Sequence, residues 1–290
     1  MTPRRAGLFA MLLLLAGVLL WLFLPPAVNG DARIANDPDA IARGEYLVIA
    51  GGCNSCHKGT EDAATFSGGL ALETDFGTFY APNITPDVAT GIGAWTAQDF
   101  LRALQHGRTP GGSFYYPAFP YRAYAGLTDT EVLDIAAYLM SLPPVTHRVP
   151  EPDVPVWLNR LTIAGWNRLA DFNAPMPEAL ATEQIARGEH LARNLAHCGE
   201  CHTPRNSLGL LDYTREFAGA ELGDQVIEAI DAAALAQWDA TSFALFLLIG
   251  LKPDGEFAGG DMNDVIEHNT SKLTAADRDA LAAFFTRATP

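Results

Sequence analysis

The tightest constraint on this 290-residue chain is a five-residue pattern that occurs twice, Cys53-Asn54-Ser55-Cys56-His57 and Cys198-Gly199-Glu200-Cys201-His202, and uses every cysteine in the sequence. On a helical turn, cysteines at i and i+3 face one way and a histidine at i+4 joins them. Two thioethers can then pin the edge of a haem while the imidazole meets its iron, which is why C-x-x-C-H reads as a haem c attachment site. Four scattered cysteines in an exported chain would suggest disulfides, and a bare C-x-x-C would suggest dithiol redox chemistry or zinc. The adjacent histidine, present twice, ranks two covalently bound haem c groups above those alternatives.

An internal repeat organises the rest. Ile41-Ala42-Arg43-Gly44-Glu45-Tyr46-Leu47 recurs 144 positions on as Ile185-Ala186-Arg187-Gly188-Glu189-His190-Leu191, just upstream of each motif. Trp95–Phe100 pairs with Trp238–Phe243, and Gly107, Pro110, Gly112 and Phe114 pair with Gly250, Pro253, Gly255 and Phe257, at an offset of 143. Leu127-Thr128 and Ile135–Tyr138 pair with Leu273-Thr274 and Leu281–Phe284 at an offset of 146. The chain therefore reads as a duplicated haem domain. Each copy is expected to be helical: one helix running into the haem motif, a second after Trp95 or Trp238, a third from Thr128 or Thr274. Thr128-x-x-Glu131 has capping-box form and Thr274-x-x-Asp277 a weaker version of it.

Between the second and third helices lies a Gly/Pro-rich loop, the natural place for backbone to cross the far side of a haem. In the second copy it holds Met262. A thioether there would give the second haem His202/Met262 ligation, which raises the reduction potential and closes the coordination sphere. The other reading is a methionine filling a core gap. In the first copy the same offset falls on Phe119, which cannot ligate iron, so the first haem, on His57, is expected to lack a methionine. Met140 and Met176 occupy neither distal loop. Its sixth position is empty, water-filled, or taken by His106, Tyr116, Tyr121 or Lys58. His106 leads these because neutral imidazole is the best iron ligand among them, against the simpler reading of a helix-end histidine favoured by the dipole.

A net charge of −15 and the lack of any basic stripe argue against a nucleic-acid partner, since a polyanion would be repelled. Arg4 and Arg5 precede an unbroken apolar run, Leu8–Leu24, stopped by Pro25 and Pro26. It is long for a secretion signal and short for a bilayer span; an uncleaved anchor with its N-terminus inside is the favoured expectation and a cleaved signal its rival. Residues 143–182 carry seven prolines around Trp157 and Trp166, an expected semi-rigid, extended connection with the two indoles packed between domains.

At these residues the chain resembles a family, the cytochrome c subunits of membrane-bound bacterial alcohol, gluconate and aldehyde dehydrogenases. The resemblance lies in Arg43–Leu47, Phe66-Ser67-Gly68-Gly69, Pro82-Asn83-Ile84-Thr85-Pro86-Asp87, Thr90–Thr96, Tyr116–Tyr121 and Cys198–Asn206. With the repeat, the expectation is an all-α chain of two tandem cytochrome c-type domains: signal or anchor 1–30, first domain 31–142, linker 143–182, second domain 183–290. The resemblance implies a carrier on the periplasmic side of the inner membrane that takes electrons from a dehydrogenase and hands them to quinone, a cytochrome or an oxidase, without turnover of its own. Two departures matter. The family commonly has three haem domains, and its Tyr-Pro-Ala-Met-Pro-Tyr is here Tyr-Pro-Ala-Phe-Pro-Tyr, the substitution the internal repeat finds independently. The alternative is a dihaem enzyme whose open first haem reduces peroxide or oxidises a sulfur compound, and a sensor built on that haem ranks below it.

Overall fold

The computed structural model describes residues 3–24, 26–59, 65–173, 182–223 and 225–287. Pro25, and Pro175, Met176 and Pro177 of the proline-rich stretch, lie outside the described residues.

Both halves are built on one helical frame. In the first, α2 (Pro38–Ala50) starts with the Asp37 carboxylate accepting from the Asp39 and Ala40 amides and Pro38 supplying a preset φ. It crosses α6 (Asp129–Ser141) at Gly44, where any Cβ would collide with the Asp134 carbonyl. In the second half α8 (Glu183–His190), prolonged by a wider π-type turn over Leu191–Leu195, crosses α12 (Ala275–Phe285) at Gly188, where a Cβ would collide with the Ala280 carbonyl. Gly44 and Gly188 are repeat partners, so the duplication preserves a helix crossing that only glycine permits.

The third helix of each frame, α4 (Ala97–His106) or α10 (Ala240–Ile249), opens on a closed capping box and ends on a left-handed glycine, Gly107 or Gly250. The tryptophan before each helix lies edge-on to its phenylalanine, Trp95 on Phe100 and Trp238 on Phe243. Thr128 and Glu131 close the expected capping box. Thr274 accepts from the Asp277 amide, but the Asp277 carboxylate turns away to Arg187 and Tyr46.

Three expectations need correction. The first is the all-α class. Two antiparallel hairpins interrupt the helices: β1 (Ala71–Thr74) with β2 (Gly77–Tyr80), and β3 (Ala220–Leu222) with β4 (Gln225–Ile227). Strands of three or four residues are too short to show an alternation in sequence.

The second is the linker. It is not extended throughout, because Asn159 caps a helix, α7 (Arg160–Asp171), that buries Ile163, Ala164, Asn167 and Ala170. Trp166 donates to the Leu208 carbonyl at 2.7 Å and so ties the stretch to the second half, whereas Trp157 is 55% exposed.

The third is the anchor. Among the described residues no helix is long and apolar enough to cross a membrane. The apolar run Leu8–Leu24 is 17 residues long, all but the last of them within helix α1 (Pro3–Phe23). At about 1.5 Å per residue this reaches about 26 Å against a hydrocarbon core of about 30 Å. Its side chains from Leu8 to Leu20 are exposed, and its far end is gripped. The buried Arg108 donates to the Leu22 and Leu24 carbonyls, and Arg168 donates to that of Trp21.

The two halves share one hydrophobic core. Val48, Leu101, Val132 and Ala136 of the first are continuous with Leu191, Leu195, Leu281 and Phe284 of the second. Polar contacts sew its edge: Tyr46 to Asp277, and His190 to Glu131, each across the halves.

Candidate haem sites

Each C-x-x-C-H motif forms a short helix, α3 (Cys53–His57) and α9 (Gly199–His202). The first does not continue α2: Gly51 and Gly52 break the chain, Gly52 with φ of 63°. All four cysteines are free thiols. Burial pushes Cys53 and Cys198 up to about 12, which holds them as neutral thiols, the opposite of the lowered pKa that a dithiol redox pair needs. Among the described residues no three His, Cys, Asp or Glu side chains converge as a metal cage would require. Two thiols and an imidazole set apart in this way fit the edge and centre of a macrocycle rather than a zinc ion.

The histidines decide the fit. His57 Nδ1 donates to the Pro82 carbonyl at 2.8 Å, and His202 Nδ1 donates to the Glu228 carbonyl at 2.7 Å. With Nδ1 engaged, Nε2 keeps its lone pair for iron. Desolvation lowers the pKa of both rings and favours the neutral, ligating form.

The hairpins deliver those carbonyls. Pro82 follows β2 and opens a buried polar knot: Asn83 Nδ2 donates to the Val145 carbonyl at 2.7 Å, Thr85 Oγ1 donates to Asn83 Oδ1 at 2.7 Å, and Asp87 accepts from the Thr90 amide. Glu228 follows β4 directly. On the other side of each motif a phenylalanine sits at positive φ, Phe66 at 67° and Phe217 at 63°, followed by a glycine whose amide reaches the histidine carbonyl, Gly68 to His57 and Gly219 to His202. These segments stand 151 positions apart, so the second half carries extra residues here.

Met262 lies in the first turn of α11 (Gly260–His268), half-buried against the core, and not in a loop. Burial pushes the Cys201 thiol up, and the charges of Glu200, Cys56 and Asp261 add to it. At the matching point of the first half, Phe119 packs among Tyr115, Tyr121 and Tyr124 at centroid distances of 5.6, 6.2 and 5.7 Å.

His106 ends α4; burial and the Arg108 charge lower its pKa, and Asp129 opposes them. Tyr116 donates to the Leu158 carbonyl and Tyr121 to Asn167, both on the α7 side, so their hydroxyls are engaged. Lys58 caps α3 and is exposed. Sequence reasoning passed over Tyr124, the last residue of the short helix α5 (Tyr121–Tyr124), whose hydroxyl donates to Gly51 O at 3.1 Å and whose ring lies 5.5 Å from His197.

Residues 41–143 match the cytochrome c family model. The chain is 43% identical to a diheme cytochrome c-type protein of Cereibacter sphaeroides, over 97% of its own length and 96% of that protein's. The chain belongs to the cytochrome c family. Its covalent haem c and its electron-transfer role follow from that membership. It is also 35% identical to the gluconate 2-dehydrogenase cytochrome c subunit of Pantoea cypripedii, and 34% identical to the fructose dehydrogenase cytochrome subunit of Gluconobacter japonicus. These matches cover 86% and 84% of the chain but only 59% and 52% of those proteins, so the chain spans little more than half the length of such subunits.

Proposed function

We propose that this chain is a two-haem electron carrier that accepts electrons from a dehydrogenase on the periplasmic side of the inner membrane and passes them to a quinone, cytochrome or oxidase. Cys53 and Cys56 hold one haem c and Cys198 and Cys201 the other. His57 and His202 would be the histidine ligands of the two irons, and Met262 would close the coordination of the second. The bound haems supply reversible one-electron chemistry at iron. The protein supplies orientation, through the Pro82 and Glu228 carbonyls, and a shared apolar core that keeps the two sites in fixed relation. The exposed apolar helix α1 serves export or contact with the membrane surface.

The observation that carries this reading is the matched orientation of His57 and His202 beside two pairs of free thiols. Intact mass of the protein produced with a haem-attachment system, together with haem staining after denaturation, tests it. The expected result is a mass gain of two haems that survives denaturation, lost one at a time in Cys53→Ala/Cys56→Ala and Cys198→Ala/Cys201→Ala variants. A single haem, or none, overturns it.

One observation favours a second reading. Phe119 occupies, among tyrosines, the place that Met262 takes in the other half. An iron without a sixth protein ligand there would admit a small ligand, as the dihaem enzyme requires. Addition of carbon monoxide or cyanide separates the readings: two haems that both refuse the ligand leave only the carrier.

A further inference from the structure

The residue before the first cysteine of each motif adopts a left-handed backbone. In the first half it is Gly52, at φ 63°; in the second it is His197, at φ 42°. Glycine meets no steric penalty there, whereas a residue with a Cβ does. Strain of this kind persists where the surroundings hold it in place and where it does something.

What His197 does is reach into the other half. Its Nε2 donates to the Gly51 carbonyl at 3.2 Å, two residues before Cys53, while its own main chain leads directly into Cys198. Tyr124 donates to that same carbonyl at 3.1 Å and stands edge-on to the imidazole. One peptide oxygen thus accepts twice, from Tyr124 within the first half and from His197 across the halves, and the second bond ties the two motifs together.

We propose that His197 is the positioning residue that couples the two haem sites, bridging the Cys198 main chain to the Gly51 carbonyl so that Gly51-Gly52-Cys53 and His197-Cys198 form one short connection for electrons. This rests on the reading that both motifs carry haem. The step it serves is the transfer of one electron from a ferrous to a ferric haem, with no bond made or broken and no proton required. The bridge shortens the gap by replacing a through-space jump between halves with a hydrogen bond, and it fixes the separation and tilt of the two sites.

The test uses the full-length holoprotein. His197→Gly gives the second half the residue the first half already has, so it relieves the strain while removing the bridge. His197→Asn keeps a side-chain donor and a residue tolerant of the left-handed region. Haem content by mass, melting temperature, and the rate of inter-haem re-equilibration after a sub-stoichiometric reducing pulse are read on each. The expected result for His197→Gly is two haems retained, a melting temperature close to the parent's, and inter-haem transfer slowed several-fold, with the rate partly restored in His197→Asn. Unchanged transfer in a fully loaded His197→Gly protein overturns the proposal, as does a loss of melting temperature with no change in rate, which would make His197 an interface contact alone. A parent protein with fewer than two haems would instead overturn the reading beneath it.

Discussion

Tyr46 Oη donates to Asp277 Oδ2 at 2.5 Å, and the repeat counterparts of these two residues, His190 and Glu131, meet at 2.8 Å. One duplicated pair of positions thus joins the halves twice, in opposite directions, with the tyrosine of one copy replaced by histidine in the other. This reciprocity is what two equivalent domains produce when they pack about an approximate two-fold axis.

The second of these contacts gives the protein an acid-sensitive seam. Burial pushes the Glu131 carboxyl up, but hydrogen bonds from His190 and from the Thr128 cap, with the charge of His190, outweigh it and hold the group at about 2 against an ordinary 4.5. A carboxyl depressed by folding contributes stability that is complete above its unfolded value and lost as pH falls toward its folded one. Glu131→Gln is therefore expected to be less stable than the parent at pH 7, with the difference closing between pH 4.5 and 2. Denaturant titrations across that range check this; a difference that stays constant with pH would refute the pairing.

The helix crossings make a paired prediction with a built-in control. Gly44→Ala and Gly188→Ala each drive a methyl into a carbonyl of the facing helix, and each is expected to cost about 1–3 kcal/mol, the usual range for overpacking. Gly165 lies within α7 with open space where its Cβ would be, and Gly165→Ala is expected to stabilise by about 0.5–1 kcal/mol through helix propensity. Thermal or denaturant unfolding of the three variants would sink the argument if all shifted alike.

Asn83 links folding to the first haem site. It is 2% exposed and its amide serves Thr85, Thr90 and Val145. Asn83→Ala takes the acceptor from the buried Thr85 amide and is expected to cost about 1–3 kcal/mol. Because Asn83 follows the Pro82 carbonyl that orients His57, the variant should also shift the absorption and reduction potential of one haem and not the other. Loss of stability with both haems unchanged would show the knot to be structural alone.

How far the sequence could be read follows from the range of each signal. The motifs, the repeat, the helix starts at Thr96, Thr128 and Thr274, and the glycine caps at Gly107 and Gly250 are local patterns, visible at a spacing of a few residues. The hairpins were not, because three or four residues cannot show a period, and their role depends on a main-chain carbonyl, which any residue supplies: Pro82 in one copy and Glu228 in the other. Helix α7 was hidden by prolines that in fact flank it, with none between Pro155 and Pro175. Met262 was placed by the repeat offset in a loop, whereas it lies in the first turn of α11, a start that no side-chain cap marks in the sequence. His197 did carry a signal, a histidine where the aligned copy has Gly52, but its meaning needed the partner carbonyl from 146 residues away.

The asymmetry between Met262 and Phe119 can be tested by exchange. Met262→Ala removes the proposed thioether from the second site and is expected to convert that haem alone from low spin to high spin and to open it to carbon monoxide, because a haem with only its histidine keeps a vacant position. Phe119→Met places a thioether in the first half at the aligned point. Phe119 is half-buried and lies against Tyr124, whose hydroxyl is bonded just before Cys53. An unbranched methionine fits a phenylalanine-sized gap at low cost. The substitution is expected to leave the second haem as it was and to reduce carbon monoxide binding at the first. Electron paramagnetic resonance and optical spectra of the oxidised and reduced proteins distinguish the two haems. If Met262→Ala leaves both spectra unaltered, Met262 is a core residue and the second iron has another ligand. If Phe119→Met alters neither haem, position 119 does not face the first iron, and the reading of that haem as open must rest on something other than Phe119.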